Sequence, residues 1–321
     1  MLRSMYSSIS GLKNHQTKLD VIGNNISNVN TYGYKKSRVA FKDLVSQSVT
    51  GATAATATQG GVNPKQVGLG SQMAAIDIIH STGSLQTTAR TLDLAINGDG
   101  FFVVADSIGA PNEGVIEDPG FTNMLYTRAG NCYMDANGYL VNGDGKYLVG
   151  HANDVVSIND DESIPGSEVD AHKAASALAG INGNLFGDDG IDVENDIGPI
   201  RIPTTAQSMS IGQDGTITYV DYKGDLQYAG QLILAKFPNT GGLEKVGSNY
   251  YQQTSNSGAP YAQVAKAGGI GTVESGFLEM SNVDLSEEFT EMIVAQRGFQ
   301  ANSRIISTSD QILEELVNLK R

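Results

Sequence analysis

Apolar residues recur every seven positions through the first thirty residues of the chain. Met5, Leu12, Leu19 and Ile26 hold one line, Leu2 and Ile9 lie on an adjacent line, and Ile22 and Val29 extend the face. This heptad-like spacing predicts an amphipathic helix over 2–29, roughly 40 Å long at about 1.5 Å per residue. Gly11 and Gly23 each weaken it by about 1 kcal/mol relative to Ala. A longer stripe runs through 285–319. Leu285, Met292, Phe299, Ile306 and Leu313 keep one line without a break, and Phe289, Ile293, Ile305, Ile312, Leu316 and Leu319 widen it. Asp284 with Glu287 three residues on is a capping-box pattern. Glu288 and Glu291 in the first turns, and Lys320 and Arg321 at the end, suit the helix dipole.

Between the stripes the period drops to two. "GSQMAAIDIIHS", "LDLAINGDGFFVVA", "LYTRAGNCYMDANGYLVNGDGKYLVG" and "GTITYVDYKGDLQYAGQLILAKF" read as strands joined by turns. Asn97-Gly98, Asn137-Gly138 and Asn142-Gly143 are signals for type I′ hairpins. "TGATAATATQG" over 50–60 is small and low in complexity, as a linker or extended arm is. Residues 152–200 are acidic and irregular, as an insertion would be.

The fold class expected is therefore α+β: helices at the two ends and an inserted all-β body of short antiparallel strands. Residues 1–45 with 280–321 form the helical domain, 46–70 a connecting arm, 71–151 with 201–279 the β-rich domain, and 152–200 an acidic insertion that is a candidate outer subdomain. "SNVN" at 27–30 is echoed by "SNVD" at 281–284. The echo is expected where the chain leaves a two-helix unit and re-enters it.

Composition sharpens this picture. The chain has 38 Gly, only 8 Pro and no Trp in 321 residues, a profile that suits turn-rich β structure. The net charge is −14 and uneven. Residues 1–50 carry seven Lys/Arg against two Asp/Glu, residues 281–321 carry four against seven, and the middle holds −16. An acidic middle argues against a nucleic-acid surface. A single cysteine, Cys132, forms no internal disulfide. No apolar run approaches the roughly 20 residues of a membrane span, so no membrane insertion is expected, and the N-terminus lacks the marks of a cleaved secretory signal.

Catalytic chemistry finds no constellation. His15, His80, His151 and His172 sit in no metal-ligand spacing. "DANGYL" from Asp135 starts like a calcium loop but lacks Gly at the sixth position and Glu at the twelfth. "NGDGFF" from Asn97 precedes a strand, whereas a phosphate cradle precedes a helix. There is no Gly-x-Ser-x-Gly elbow, and Cys132 reads as a small buried hydrophobe. No catalytic residue, metal or cofactor is expected. The terminal stripes are a different matter. Two helices at the chain ends offer too little apolar surface to bury both stripes, and each Leu or Ile left out forgoes about 1.5–3 kcal/mol. Other copies of the same chain resolve the deficit, and head-to-tail association that does not close gives a helical polymer. The candidate assembly residues are Leu2, Met5, Ile9, Leu12, Leu19, Ile22 and Ile26, with Leu285, Phe289, Met292, Phe299, Ile306, Leu313 and Leu316. Asp284 and Glu287 serve as the cap.

"LDVIGNNISNVNTYGYK", "LDLAINGDGFFVV", "YTRAGNCYMDANGYLVNGDGKYLVG", "GQLILAKFPNTGGLEKVGSNYYQQTSNSG" and "GFLEMSNVDLSEEFTEMIVAQRGFQANSRIISTSDQILEELVNLKR" together resemble the bacterial flagellar rod-and-hook axial proteins. "LDVIGNN", "NVDLSEE" and "LVNLKR" favour the hook protein over the distal rod protein. Cys132 stands where the family usually places an aromatic residue, and the insertion is shorter than the outer domain of long hook proteins. The resemblance implies that the two ends pair as an α-helical coiled coil and that Asn24, Asn25, Asn28, Thr31, Gly33 and Lys35 form the family's signature turn. It implies a hollow tube acting as a universal joint between rod and filament. Its partners would be further copies, the rod protein, the hook cap, the hook–filament junction proteins and the type III export apparatus. Its location would be the outside of the cell, reached without signal cleavage.

Overall fold

The computed structural model describes residues 2–54, 60–107, 121–152, 186–187, 190–191 and 197–319. Most of the expected insertion at 152–200 lies outside the described residues. Within it, Phe186–Gly187 pairs with Gly190–Ile191. The chain divides into two compact units, one made of residues 1–29, 35–79 and 283–321 and the other of residues 30–34 and 80–282.

The first unit holds the two long helices, α1 (Leu2–Ser27) and α2 (Leu285–Asn318), and a β-ribbon. Matching positions run in opposite senses along the two helices. Gly11 meets Asn302, His15 meets Gly298, Lys18 meets Glu291 and Asn25 meets Glu288, so the pair is antiparallel. Two helical glycines owe their place to this packing. A Cβ on Gly11 would lie 2.9 Å from the Asn302 amide, and one on Gly298 would lie 2.6 Å from the His15 ring. The propensity cost of Gly11 is thus tied to close approach of the helices. Gly23 has nothing within 4 Å of such a Cβ.

The ribbon is two antiparallel ladders in series, each with a register shift. β1 (Ser37–Asp43) pairs with β4 (Ser71–Ile78), and β2 (Ser46–Thr50) with β3 (Lys65–Gly68). A Thr53–Val62 bridge extends the ribbon towards its tip. From Ser37 to Thr53 it spans about 50 Å of strand. The connecting arm expected over 46–70 is therefore largely a paired ribbon, and residues 55–59 of the low-complexity text lie outside the described residues. The strand text at 71–78, expected in the β body, pairs with β1 because Val39 faces Ile76 and Phe41 faces Met73. The ribbon rests on a small polar face of α1. Asn14 Nδ2 donates to Ser71 Oγ at 2.8 Å, and a Cβ on Gly70 would strike Ser10.

The second unit is the β body. Its strands are β5 (Leu85–Thr87), β6 (Leu94–Asn97), β7 (Phe101–Ser107), β8 (Phe121–Thr127), β9 (Cys132–Met134), β10 (Leu140–Asn142) and β11 (Tyr147–Ala152). They continue with β12 (Phe186–Gly187), β13 (Gly190–Ile191), β14 (Ile197–Pro199), β15 (Ser208–Ile211), β16 (Thr216–Val220) and β17 (Leu226–Lys236). The last are β18 (Glu244–Gly247), β19 (Tyr250–Gln252), β20 (Tyr261–Val264), β21 (Thr272–Ser275) and β22 (Phe277–Glu279). The main sheet runs β15-β16-β17-β11-β7-β8-β19-β18, and every pairing is antiparallel. The central strands "FFVVA" and "GQLILA" are buried on both faces, which is why they read as continuous apolar runs. Leu94, Ile96, Phe102, Leu140, Ile217, Leu234 and Val273 make the core. Cys132 joins them, and burial pushes its thiol up to about 12, an unreactive state.

The turns differ from the type I′ expectation. At 135–138 and 142–145 the positive φ falls on Gly138 and Gly145 rather than on the Asn. Asp135 Oδ1 accepts from the N–H of Asn137 and Tyr139, and Asn142 Oδ1 from Asp144 and Lys146. Side-chain acceptors close these turns. The two-residue connection with positive φ at both central residues, as type I′ requires, is Ser248-Asn249 between β18 and β19.

Candidate assembly surface

The first unit carries the stripes. On α1, Met5, Leu12, Leu19 and Ile26 are half-buried, Ile22 is buried and Ile9 is exposed. Leu2 begins the helix. On α2, Met292, Phe299, Ile306 and Leu313 are half-buried, while Leu285, Phe289 and Leu316 are exposed. The buried residues at the seam include a second line three positions on from the apolar one: Ser8 on α1, and Glu288, Ala295 and Ser309 on α2, with His15 and Asn302 half-buried in the same lines. Hydropathy alone passes over this line because it is small and polar. Its period of seven was the signal available.

α2 leaves more large apolar side chains exposed than α1 does. Phe289, Ile293, Val294, Ile305, Ile312 and Leu316 are 42–59 % exposed. Large apolar side chains left in water along eight turns make α2 a candidate contact surface.

At the end of α1 the asparagines do separate jobs. Asn28 Nδ2 donates to the Asn24 carbonyl at 2.9 Å and turns the chain out of the helix. Asn25, buried, clamps three elements. Its Nδ2 donates to the Ser37 carbonyl at 2.9 Å and to Glu288 Oε2 at 3.2 Å, and its Oδ1 accepts from the Ser37 N–H at 3.0 Å. The end of α1, the root of the ribbon and the start of α2 therefore meet at one amide. Thr31 and Gly33 lie in the second unit, where the Gly33 N–H donates to the Glu279 carbonyl at 2.8 Å. Lys35 is fully buried.

The α2 cap takes the expected form in part. Asp284 Oδ1 accepts from the N–H of Ser286 at 2.8 Å and of Glu287 at 3.4 Å. The Glu287 carboxylate reaches Lys36 Nζ at 2.8 Å, because the ribbon root brings a cation within range. Lys18 and Glu291 pair at 3.0 Å. Burial holds the Glu288 carboxyl above its usual range, against the opposing pull of the Asn25 hydrogen bond and the Lys36 charge.

Three stretches match known families. Residues 5–35 match the flagella basal body rod protein family, residues 95–219 the flagellar hook protein FlgE/F/G D1 domain, and residues 274–319 the flagellar basal body rod FlgEFG protein C-terminal family. Over 322 aligned positions, covering all of both proteins, the chain is 51% identical to the flagellar basal-body rod protein FlgG of Bacillus subtilis (strain 168). The chain belongs to the flagellar rod and hook protein family. The flagellar hook protein FlgE of Borreliella burgdorferi is 31% identical over 455 aligned positions, again covering all of both proteins. Among solved structures, the hook protein FlgE2 of Helicobacter pylori aligns at 11% identity and a TM-score of 0.40 over 61% of this chain and 100% of that one.

Membership makes the chain a structural subunit of the flagellar rod or hook, a self-assembling polymer component and not an enzyme. Among the described residues no helix is long and apolar enough to cross a membrane. The sequence motifs leaned towards the hook. The relative at 51% identity is a rod protein, while the other rod relatives and the hook relatives stand alike at 30–32%. The hook relative needs over 130 alignment positions that this chain lacks, whereas the rod relative matches it end to end.

Proposed function

We propose that this chain is a subunit of the distal rod of the flagellar basal body, polymerising into a hollow helical shaft that carries torque outward. The observation that carries the assembly reading is the set of large apolar side chains that α2 leaves exposed. Burying the exposed half of six large apolar side chains, each contributing about half of the roughly 1.5–3 kcal/mol of full burial, favours association. End-to-end identity with a rod protein supports rod over hook. On this reading Leu2, Met5, Ile9, Leu12, Leu19, Ile22 and Ile26 act with the α2 stripe as the axial seam. The subunit leaves the cell through the flagellar export apparatus without loss of its N-terminus. Its neighbours are other axial proteins, the rod below and the hook above.

The test is complementation in two strains of the source bacterium, one lacking its rod gene of this type and one lacking its hook gene, with electron microscopy of the purified chain at high concentration. Rescue of the rod strain alone, with tubes in vitro, is expected. Rescue of the hook strain alone would reverse the assignment.

A further inference from the structure

Three stretches carry the chain into and out of the β body: 30–34, 80–84 and 279–282. All three are tied at one residue. Glu279, at the end of β22, is wholly buried, and its Oε2 lies 3.3 Å from Nη1 of Arg128, itself buried. Its Oε1 accepts from the N–H of Gly83 at 2.9 Å, and its carbonyl accepts from the N–H of Gly33 at 2.8 Å. The next residue, Met280, donates its N–H to the Ser84 carbonyl at 2.9 Å.

The approach is backbone to backbone. A Cβ on Gly83 would sit 2.0 Å from the Met280 oxygen. One on Gly33, at φ +69°, would sit 2.6 Å from the Ala129 nitrogen. Arg128 carries the tie onward into the sheet. It follows directly on β8, and its Nη2 donates to the Gly98 carbonyl at 2.8 Å and its Nη1 to that of Ile96 at 3.4 Å. An apolar pair of the same volume would fill this space at no electrostatic cost. It would not bond the Gly83 amide or the two carbonyls.

We propose that the Glu279–Arg128 pair is a mechanical junction that makes the three chain crossings open and close as one body, so that a pull on any crossing is shared by all and passed to the sheet through β6 and β8. Crossings held by separate single hydrogen bonds would release one at a time. A shared charged hub forces their release together, since freeing one partner leaves the other buried without compensation. The use of such a junction in a shaft that carries torque rests on the proposed function. Its existence does not.

The test is native-state amide exchange on the full-length monomer in low denaturant. Gly33, Gly83 and Met280 are expected to open with one free energy and one denaturant slope, as a cooperative unit does. Three separate openings would overturn the junction. In Glu279→Gln these amides should exchange at least tenfold faster while Val104 and Leu234 in the central sheet keep their protection. A uniform rise across the body, or no change at the crossings, would overturn it. In assembled tubes Glu279→Gln should shorten the bending persistence length, and tubes as stiff as wild type would refute the mechanical role. A wild-type chain that never forms tubes would count against the rod assignment, and the exchange data would still decide the junction.

Discussion

The two units bury the same kinds of residue to different depths. In the β body Phe102, Leu234 and Ile217 are sealed by their own chain. In the helical unit Leu12, Leu19, Phe299 and Ile306 are only half-buried, and Phe289, Ile293, Val294, Ile305, Ile312 and Leu316 of α2 face water. The body is thus sealed by its own chain, whereas the helices leave apolar surface uncovered, which on the proposed function neighbouring copies would bury. Intermolecular burial is what a polymer needs, and a sealed core would leave nothing to drive it.

The largest effect on the monomer should come from the sealed side. Phe102→Ala ought to lower the stability of the β body by about 3–5 kcal/mol, read as an earlier denaturant midpoint. A shift no larger than that of a surface substitution would erase the contrast between the units. In the helical unit, Gly298→Val drives a branched side chain into the His15 ring. It should cost about 1–3 kcal/mol there, seen as lost helical circular dichroism with the body's transition unmoved.

Leu19→Asp, half-buried at the same seam, should block polymerisation while leaving that transition in place. Normal tubes from this variant would show that the stripe is not the seam. Glu288 offers a pH handle. Its folded carboxyl titrates above the unfolded value, so the ionised form opposes folding. Stability of the helical unit should rise as pH falls through that raised value, and level off below the ordinary carboxylate range. Glu288→Gln should flatten the profile of helical unfolding against pH between neutral and mildly acid. The smallest monomer effect belongs to Phe289→Ser, within about 0.5 kcal/mol because the ring is exposed. Its effect on polymerisation should be far larger, measured as a raised critical concentration.

What the sequence by itself determined is the part governed by periodicity. Spacings of seven and two are local, and they placed both helices within two residues and marked the β body by its apolar runs. The same local signals gave the α2 cap at Asp284 and the asparagine-rich exit from α1. The tertiary structure decided what depends on residues distant in the chain. The polar line of the seam has a period of seven in the sequence, but its place in the packing shows only where Asn25 meets Glu288 and Gly11 meets Asn302. Pairing of 71–78 with 37–43 rather than with the body required the cross-strand match of Val39 with Ile76. The turns at 135–138 and 142–145 turned on carboxylate and amide acceptors whose neighbours no dipeptide rule counts. The tie at Glu279 joins residues 33, 83 and 128, and a buried charge reveals its purpose only through the partners that make its burial tolerable.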